Sequence, residues 1–133
     1  MESPRDKIAP PVSSAVPNRS STSAYQAPYP AAVRRATRFI EANLGQRMGL
    51  PKIAAAAGLS PFHFGRIFKQ TTGLSPHQYL LERRISEAKQ MLRAQRLSVA
   101  EIAAELGFYD QSHFSQVFKR NAGMTPRQFA EQF

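Results

Sequence analysis

The chain repeats itself at an offset of 50 residues, and this repeat constrains the fold more than any other feature of the sequence. Residues 62–80 and 112–130 share seven identical positions, where chance gives about one at ordinary residue usage. The identical pairs are His63 with His113, Phe64 with Phe114, Phe68 with Phe118, Lys69 with Lys119, Gly73 with Gly123, Pro76 with Pro126 and Gln78 with Gln128. The chain therefore contains two copies of one structural unit.

Each copy has the pattern of a helix, a glycine turn and a second helix. Upstream, at an offset of 49 residues, Ile53-Ala54-Ala55 matches Ile102-Ala103-Ala104, and Gly58 matches Gly107. The small alanine lets the second helix cross closely, and the glycine four residues later allows the positive φ of a tight turn. The slip from 49 to 50 makes the turn of the second copy one residue longer. We predict one helix-turn-helix unit in each copy.

Apolar residues recur at helical spacing from Ala31 onward, and no stretch alternates as a strand would. Capping residues, prolines and glycines mark helices at about 31–44, 50–57, 60–72, 75–94, 98–106, 110–121 and from 125 onward. We predict an all-α fold of about seven helices. It has a first unit at residues 31–74, a spacer helix within residues 75–95 and a second unit at residues 96–133.

Residues 1–30 differ in composition from the rest of the chain, with six of the ten prolines and few apolar side chains. We expect a disordered, Pro/Ser-rich tail, because such a segment buries too little apolar surface to offset its ordering entropy. The formal net charge is +9, of which +1 belongs to the tail and +8 to residues 31–133. This excess favours a polyanionic partner, with nucleic acid ahead of an anionic membrane surface.

Several classes of protein and site are excluded. The absence of cysteine removes disulfides, thiolate zinc sites and cysteine nucleophiles. No apolar run approaches the roughly 20 residues of a membrane helix, and no secretory signal opens the chain, so we expect a cytoplasmic protein. The sequence shows no carboxylate pair, phosphate loop or catalytic triad order, so we expect no enzyme. His63 and His113 lie in separate units and lack further ligands at helical spacing, so we expect no metal and no cofactor.

Residues 33–131 resemble the tandem DNA-binding domain of the AraC/XylS family of bacterial transcription regulators. The resemblance rests on Ile53-Ala54 with Gly58, on FHFGRIFKQTTGLSPHQYL, on Ile102-Ala103 with Gly107-Phe108, and on DQSHFSQVFKRNAGMTPRQF. It implies a homeodomain-like fold and a sequence-specific regulator of transcription that binds double-stranded DNA, with the third and sixth helices in successive major grooves and the fourth as a rigid spacer. We expect the protein to be associated with the nucleoid when bound. Many relatives carry a separate ligand-binding domain, for which this chain has no room, so no effector pocket is expected.

The outward residues near the start of each recognition helix are the candidates for base readout. Helical geometry and the matching family positions assign this role to Phe62, Gly65 and Arg66 in the first unit and to Gln111, Ser112, Ser115 and Gln116 in the second. Arg66 suits a guanine edge, the glutamines suit adenine and Phe62 suits a thymine methyl group. Alternatively, Arg66 is a solvated charge and Phe62 a satellite contact of the core. Gly65 and Gln116 depart from the longer polar residue and the arginine that are common in the family.

A second set of residues is expected to contact the phosphate backbone. These candidates are Lys69, Lys119, Arg120, Arg127 and the helix-capping residues Ser60, Ser75, Ser98 and Thr125. Capping alone also explains a serine or threonine before a helix. Arg83 and Arg84 on the spacer helix are expected to brace the two units or stay solvated. His63 and His113 are expected to flank the core or to donate to phosphate.

We expect the protein to bind as a monomer to an asymmetric site of about two helical turns, with a dimer as the alternative, and to contact RNA polymerase. A second hypothesis is an interaction protein that has lost its DNA affinity and binds RNA polymerase or another regulator. The outward Arg66, Gln111 and Gln116 disfavour it. A protein that lies on a membrane surface is a weaker alternative, because its basic residues would line one helix, whereas these are spread over six or more.

Deletion of residues 2–30 should leave DNA affinity unchanged, because the tail carries only +1 of the net charge and none of the candidate contacts. The measurement is a titration of a labelled duplex with the full chain and with the shortened chain. Loss of binding on deletion would identify the tail as an active DNA-binding arm.

Overall fold

The computed structural model describes residues 30–133, so the expected disordered tail lies outside the described residues apart from Pro30. Within residues 30–133 the chain forms seven α-helices and no strand, which confirms the predicted all-α fold. The helices are α1 (Ala31–Ala42), α2 (Leu50–Ala57), α3 (Pro61–Thr72), α4 (Pro76–Ala94), α5 (Val99–Glu105), α6 (Gln111–Ala122) and α7 (Pro126–Gln132).

The helices begin at the capping residues that the sequence indicates. Ser75, Ser98 and Thr125 form capping boxes, in which each hydroxyl accepts the backbone N–H of the residue three positions later, and the side chain of that residue accepts the backbone N–H of the cap. At α3, the backbone N–H of His63 donates to Ser60 Oγ at 3.3 Å. At α6, the side chain of Asp110 accepts from the equivalent backbone N–H at 2.8 Å. Each such cap stabilises its helix by about 1 kcal/mol, and the caps at Ser60 and Asp110 set the start of the two recognition helices.

The end of α1 differs from the prediction, because the helix stops at Ala42 rather than near Leu44. The side-chain amide of Asn43 donates to the Phe39 carbonyl at 2.8 Å and covers the end of the helix. The Leu44 carbonyl accepts a hydrogen bond from Arg84 Nε at 2.8 Å instead of continuing the helix. A contact with α4, far along the chain, therefore decides where α1 ends.

The glycine turns of the two units have the predicted conformation. Gly58 follows α2 with φ at 79°, and Gly107 follows α5 with φ at 76°. Both values lie in the left-handed region, where a side chain is disfavoured. The alanines that precede these glycines by four residues, Ala54 and Ala103, are buried. Close approach of the paired helices therefore depends on small residues at matched places in both units.

The sequence repeat is also a repeat of the hydrophobic core. In each unit, a central phenylalanine packs between two other aromatic rings with centroid distances of 5.4–5.8 Å. The two sets are Phe64, Phe68 and Tyr79 in the first unit and Phe114, Phe118 and Phe129 in the second. Their rings meet at steep angles, a geometry that contributes beyond the area buried. These clusters hold α3 and α6 against the rest of the protein.

The spacer helix α4 serves both cores. Its 19 residues correspond to a length of about 28 Å. It packs against α2 and α3 of the first unit and against α5, α6 and α7 of the second. Leu80 is buried in its first half, and Ile85, Ala88 and Leu92 belong to the core of the second unit. Both units are therefore mounted on one helix.

Arg83 links the spacer helix to α1. Its Nε and Nη2 donate to the carboxylate of Glu41, the second of these bonds at 3.0 Å. The hydrogen bond with Glu41 raises the pKa of Arg83 above its ordinary value. Both side chains are partly exposed, so this pair contributes modestly to stability. Its role in the fold is to hold α1 beside α4, so this pair joins the first unit to the spacer helix rather than the two units to each other.

The substitution Phe118→Ala should lower the free energy of unfolding by about 3–5 kcal/mol, because it empties the centre of a fully buried aromatic cluster. Phe62→Ala is the matched control and should change the free energy by less than about 0.5 kcal/mol. Urea denaturation followed by circular dichroism measures both values. A similar cost for both variants would show that Phe62 belongs to the core.

Candidate nucleic-acid interface

The outward side of α3 carries the first group of candidate base-contacting residues. Phe62 is 75% exposed, whereas other phenylalanines of this helix are fully buried. The guanidinium of Arg66 lies over the Phe62 ring, 5.8 Å from its centroid. Packing does not require a glycine at Gly65, since a Cβ built there meets nothing within 4 Å. An exposed aromatic ring beside a cation and an open stretch of backbone thus occupies the start of this helix.

The structure brings the predicted residues of the first unit together around one open, shallow depression of about 470 Å³. Its lining consists of Leu50, Pro61, Phe62, Gly65, Arg66, Lys69 and Gln70. The missing side chain at Gly65 lets a partner approach the backbone closely. Sequence reasoning did not include Leu50 and Gln70 among the site residues, although Gln70 follows Lys69 directly and Leu50 is the first residue of α2. An apolar ring flanked by two cations matches the mixed chemistry of a base edge and its phosphate.

The second unit presents the equivalent side of α6. Gln111, Ser112 and Gln116 are exposed, and Ser115 is half-buried. The opposite side of the same helix is buried and consists of Phe114, Val117 and Phe118. The outward side is therefore polar and uncharged, in contrast to that of α3. Its amides and hydroxyls can both donate and accept hydrogen bonds.

The four capping residues among the phosphate candidates already have a structural partner. The hydroxyls of Ser60, Ser75, Ser98 and Thr125 each accept a backbone N–H at 3.1–3.3 Å. Each hydroxyl still has a hydrogen to donate. At Ser98, however, the carboxylate of Glu101 accepts from the backbone at 2.8 Å, and its charge disfavours a nearby phosphate. Ser98 is therefore the least suited of the four to contact DNA.

The four cationic candidates for phosphate contact all have exposed side chains: Lys69, Lys119, Arg120 and Arg127. The first three lie in the last turns of α3 and α6. A cation there also offsets the negative end of the helix macrodipole, so helix stability gives a second reason for its position. The two roles are compatible, because an exposed side chain can reach outward without leaving its helix.

Two aromatic contacts lie beside the start of α6. The ring of His113 packs edge-on against Phe108, with centroids 5.5 Å apart, so it flanks the core. Tyr109 is 73% exposed, and the guanidinium of Arg47 lies 5.4 Å from its ring centroid. Sequence reasoning missed Tyr109 and Arg47. The available signal was the extra residue in the second turn, which falls at this position.

Residues 30–133 contain neither a membrane-spanning helix nor a metal-binding group of side chains. None of their helices combines the length and the apolar character needed to cross a membrane. In the same part of the chain, no three His, Cys, Asp or Glu side chains are grouped so that they could hold a metal ion.

The sequence of this chain matches those of a known family and of several curated proteins. Residues 53–132 match a family described as a helix-turn-helix domain. The transcriptional activator AarP of Providencia stuartii is 36% identical over 73 residues, which cover 55% of this chain and 54% of AarP. The chain spans about half of the length of AarP and about a third or less of several other curated relatives.

Solved structures share the whole arrangement of helices. A transcriptional regulator from Chromobacterium violaceum, described as having an AraC-type DNA-binding domain, superposes with a TM-score of 0.71 at 32% identity, covering 76% of this chain and 90% of that one. The DNA-binding domain of AdpA, solved with a target DNA, superposes with a TM-score of 0.74 at 25% identity, covering 77% and 93%.

These relatives are regulators of transcription rather than enzymes, as the sequence predicts. The helix-turn-helix family is matched over more than half of the chain, and the neighbouring structure described as an AraC-type DNA-binding domain superposes on about three quarters of it. The protein belongs to the AraC/XylS family of transcription regulators.

Proposed function

We propose that the protein is a sequence-specific, double-stranded DNA-binding regulator of transcription that inserts α3 and α6 into successive major grooves. The observation that carries this proposal is the contrast between the two sides of each recognition helix. The inward sides are nearly the same in the two units, whereas the outward sides differ at every candidate base-reading position. The outward pairs are Phe62 with Ser112, Gly65 with Ser115 and Arg66 with Gln116.

This contrast supports an asymmetric binding site. Two identical outward sides would read two similar half-sites, whereas these two offer different chemistry. α3 presents an aromatic ring and an arginine, which suit a thymine methyl group and a guanine edge. α6 presents Gln111 and Gln116, which suit adenine. We therefore propose that one copy of the protein binds two unlike half-sites about one helical turn apart.

Charge and base readout have separate tasks in this proposal. The +8 of residues 31–133 attracts any duplex, and the exposed cations of α3, α6 and α7 bind phosphates and fix the register. The outward side chains near the helix starts then choose among sequences. The structure of the AdpA domain with a target DNA supports this assignment, because its helices superpose on those of this chain.

Selection of bound duplexes from a random pool tests the proposal. We expect one asymmetric consensus that spans about two helical turns. A protein that binds only another protein would enrich no duplex. Binding without any enriched sequence would show a DNA-binding protein that lacks base readout.

The substitution Arg66→Ala should relax the preference at one base position and weaken binding to the selected site by about 1–3 kcal/mol. Lys69→Ala, one helical turn further along the same side, is the matched control and should weaken binding to all duplexes alike. Competition titrations with single-base variants of the selected site measure both effects. Equal weakening on every duplex for Arg66→Ala would make Arg66 a phosphate contact instead.

Binding to the selected duplex should weaken steeply with added salt, because each phosphate contact releases counterions. Lys119→Ala should reduce the slope of log affinity against log salt by about 1. Arg93→Ala removes the same charge from the spacer helix and should leave the slope unchanged. Fluorescence anisotropy over a salt series measures the slopes. A slope near zero for the unmodified protein would remove the electrostatic basis of the proposal.

A further inference from the structure

The two units contact each other directly, away from the DNA-reading sides of α3 and α6. Arg84 of the spacer helix is only 6% exposed. Its Nε donates to the Leu44 carbonyl at 2.8 Å, and its Nη2 donates to the Gln46 carbonyl at 2.6 Å, both in the turn between α1 and α2. Its guanidinium also lies over the ring of Phe108 in the second unit, 5.7 Å from the centroid. One buried cation therefore touches both units.

The backbones of the two units meet beside this arginine. A Cβ built on Gly45, in the turn between α1 and α2, would overlap the carbonyl oxygen of Glu105 at the end of α5. A Cβ built on Gly107 would lie 3.1 Å from the Gly45 carbonyl oxygen and 2.8 Å from Arg84 Nη2. Only glycines allow this approach, so the absence of two side chains brings the turns together.

A third contact joins residues that lie two positions after Gly45 and two positions after Gly107 in the sequence. Arg47, in the loop before α2, stacks on Tyr109, which precedes α6. Phe108 and Tyr109 occupy the place that Leu59 alone occupies in the first unit, so the extra residue of the second turn lies in this region. The one-residue difference in length between the two helix-turn-helix units therefore coincides with the contact between them.

A buried guanidinium is costly unless its donors find acceptors in one defined geometry. Burial lowers the pKa of Arg84 from its ordinary value, in keeping with that cost. A leucine or methionine would fill the same volume without a charge. The arginine therefore restricts the turn of the first unit to one position relative to the second.

We propose that this contact, the inter-unit latch formed by Gly45, Arg84 and Gly107 with the carbonyls of Leu44 and Gln46, fixes the distance and rotation between α3 and α6. It thereby sets the spacing of the two half-sites that the protein accepts. The inference rests on the proposed DNA-binding function for its consequence, but the latch itself is a feature of the free protein. Arg84 is a positioning residue, since it acts through the turns and contacts no base.

The latch matters because one base pair changes both distance and angle. Each added base pair moves a half-site by about 3.4 Å and turns it by about 34°. Without the latch, the units are joined through the spacer helix and the stacking of Arg47 on the exposed Tyr109 ring, so each unit is freer to tilt. With the latch, the spacer helix and the paired turns form two links, which leaves little freedom to follow a displaced half-site.

The first test measures affinity against half-site spacing. Duplexes carry the selected site with one base pair added or removed between the half-sites. For the unmodified full chain, we expect each change to weaken binding by about tenfold or more, since one unit loses its base contacts. For Arg84→Met, we expect weaker binding to the best site and a penalty of about threefold or less for a changed spacing, because flexible units adapt. An unchanged spacing penalty in this variant would overturn the proposal.

Gly45→Ala provides a second route that keeps Arg84. Its methyl group would push the turns apart, so we expect a shifted or broadened spacing preference. Gly49→Ala is the matched control in the same loop, because its Cβ would make only an ordinary contact, at 3.6 Å from Pro51. It should keep the spacing profile of the unmodified chain. Thermal melting followed by circular dichroism checks that each variant is folded.

A second test needs no DNA. The chain lacks cysteine, so Lys69→Cys with Lys119→Cys places one spin label on each recognition helix at repeat-related positions. Pulsed electron paramagnetic resonance should give one narrow distribution of the distance between the two labels with the latch intact or with Gly49→Ala. It should be broader with Arg84→Met and shifted or broader with Gly45→Ala. Unchanged distributions in both latch variants would reject the latch. Failure to select any DNA site would reject the proposed function alone.

Discussion

Both hydrophobic cores of this protein depend on one helix. α4 packs against two helices of the first unit and three of the second, and its buried residues lie in both halves of its length. A helix of 19 residues is only marginally stable alone in water, so the cores that use it also hold it in shape. The aromatic clusters around Phe68 and Phe118 then attach each recognition helix to this common support. The orientation of every candidate DNA contact follows from that packing.

The two repeated units combine similar inward sides of α3 and α6 with different outward sides. The inward sides of α3 and α6 keep the same phenylalanines, because each must fill an equivalent core. The outward sides are free of that constraint, and they differ, with Phe62, Gly65 and Arg66 on α3 and Ser112, Ser115 and Gln116 on α6. Attraction by charge needs no such difference. Recognition of two unlike half-sites does, because different base edges require different donors, acceptors and apolar surfaces.

Much of the fold was predictable because its signals are local. Capping residues and turn glycines act on backbone groups within a few residues, so Ser60, Gly58 and Gly107 could be assigned from spacing alone. The inward side of each recognition helix followed from periodicity. The prediction for the end of α1 was wrong, since a carbonyl of that turn is bound by Arg84, about 40 residues later. The assignments of base and phosphate contacts remain predictions. Only the folded protein shows that Leu50 and Gln70 line the depression beside Phe62 and that Tyr109 lies against Arg47.

The sequence by itself determined that there are two like units, that all of their elements are helices, and which side of each helix is buried. These properties depend on short-range hydrogen bonds and on the period of apolar residues, both of which are determined by residues close together in the sequence. The tertiary structure decided how the units meet. The contact of Gly45 with Glu105, the burial of Arg84 and the stacking of Arg47 on Tyr109 join residues far apart in sequence. Such contacts depend on the relative position of packed helices, which no local pattern specifies.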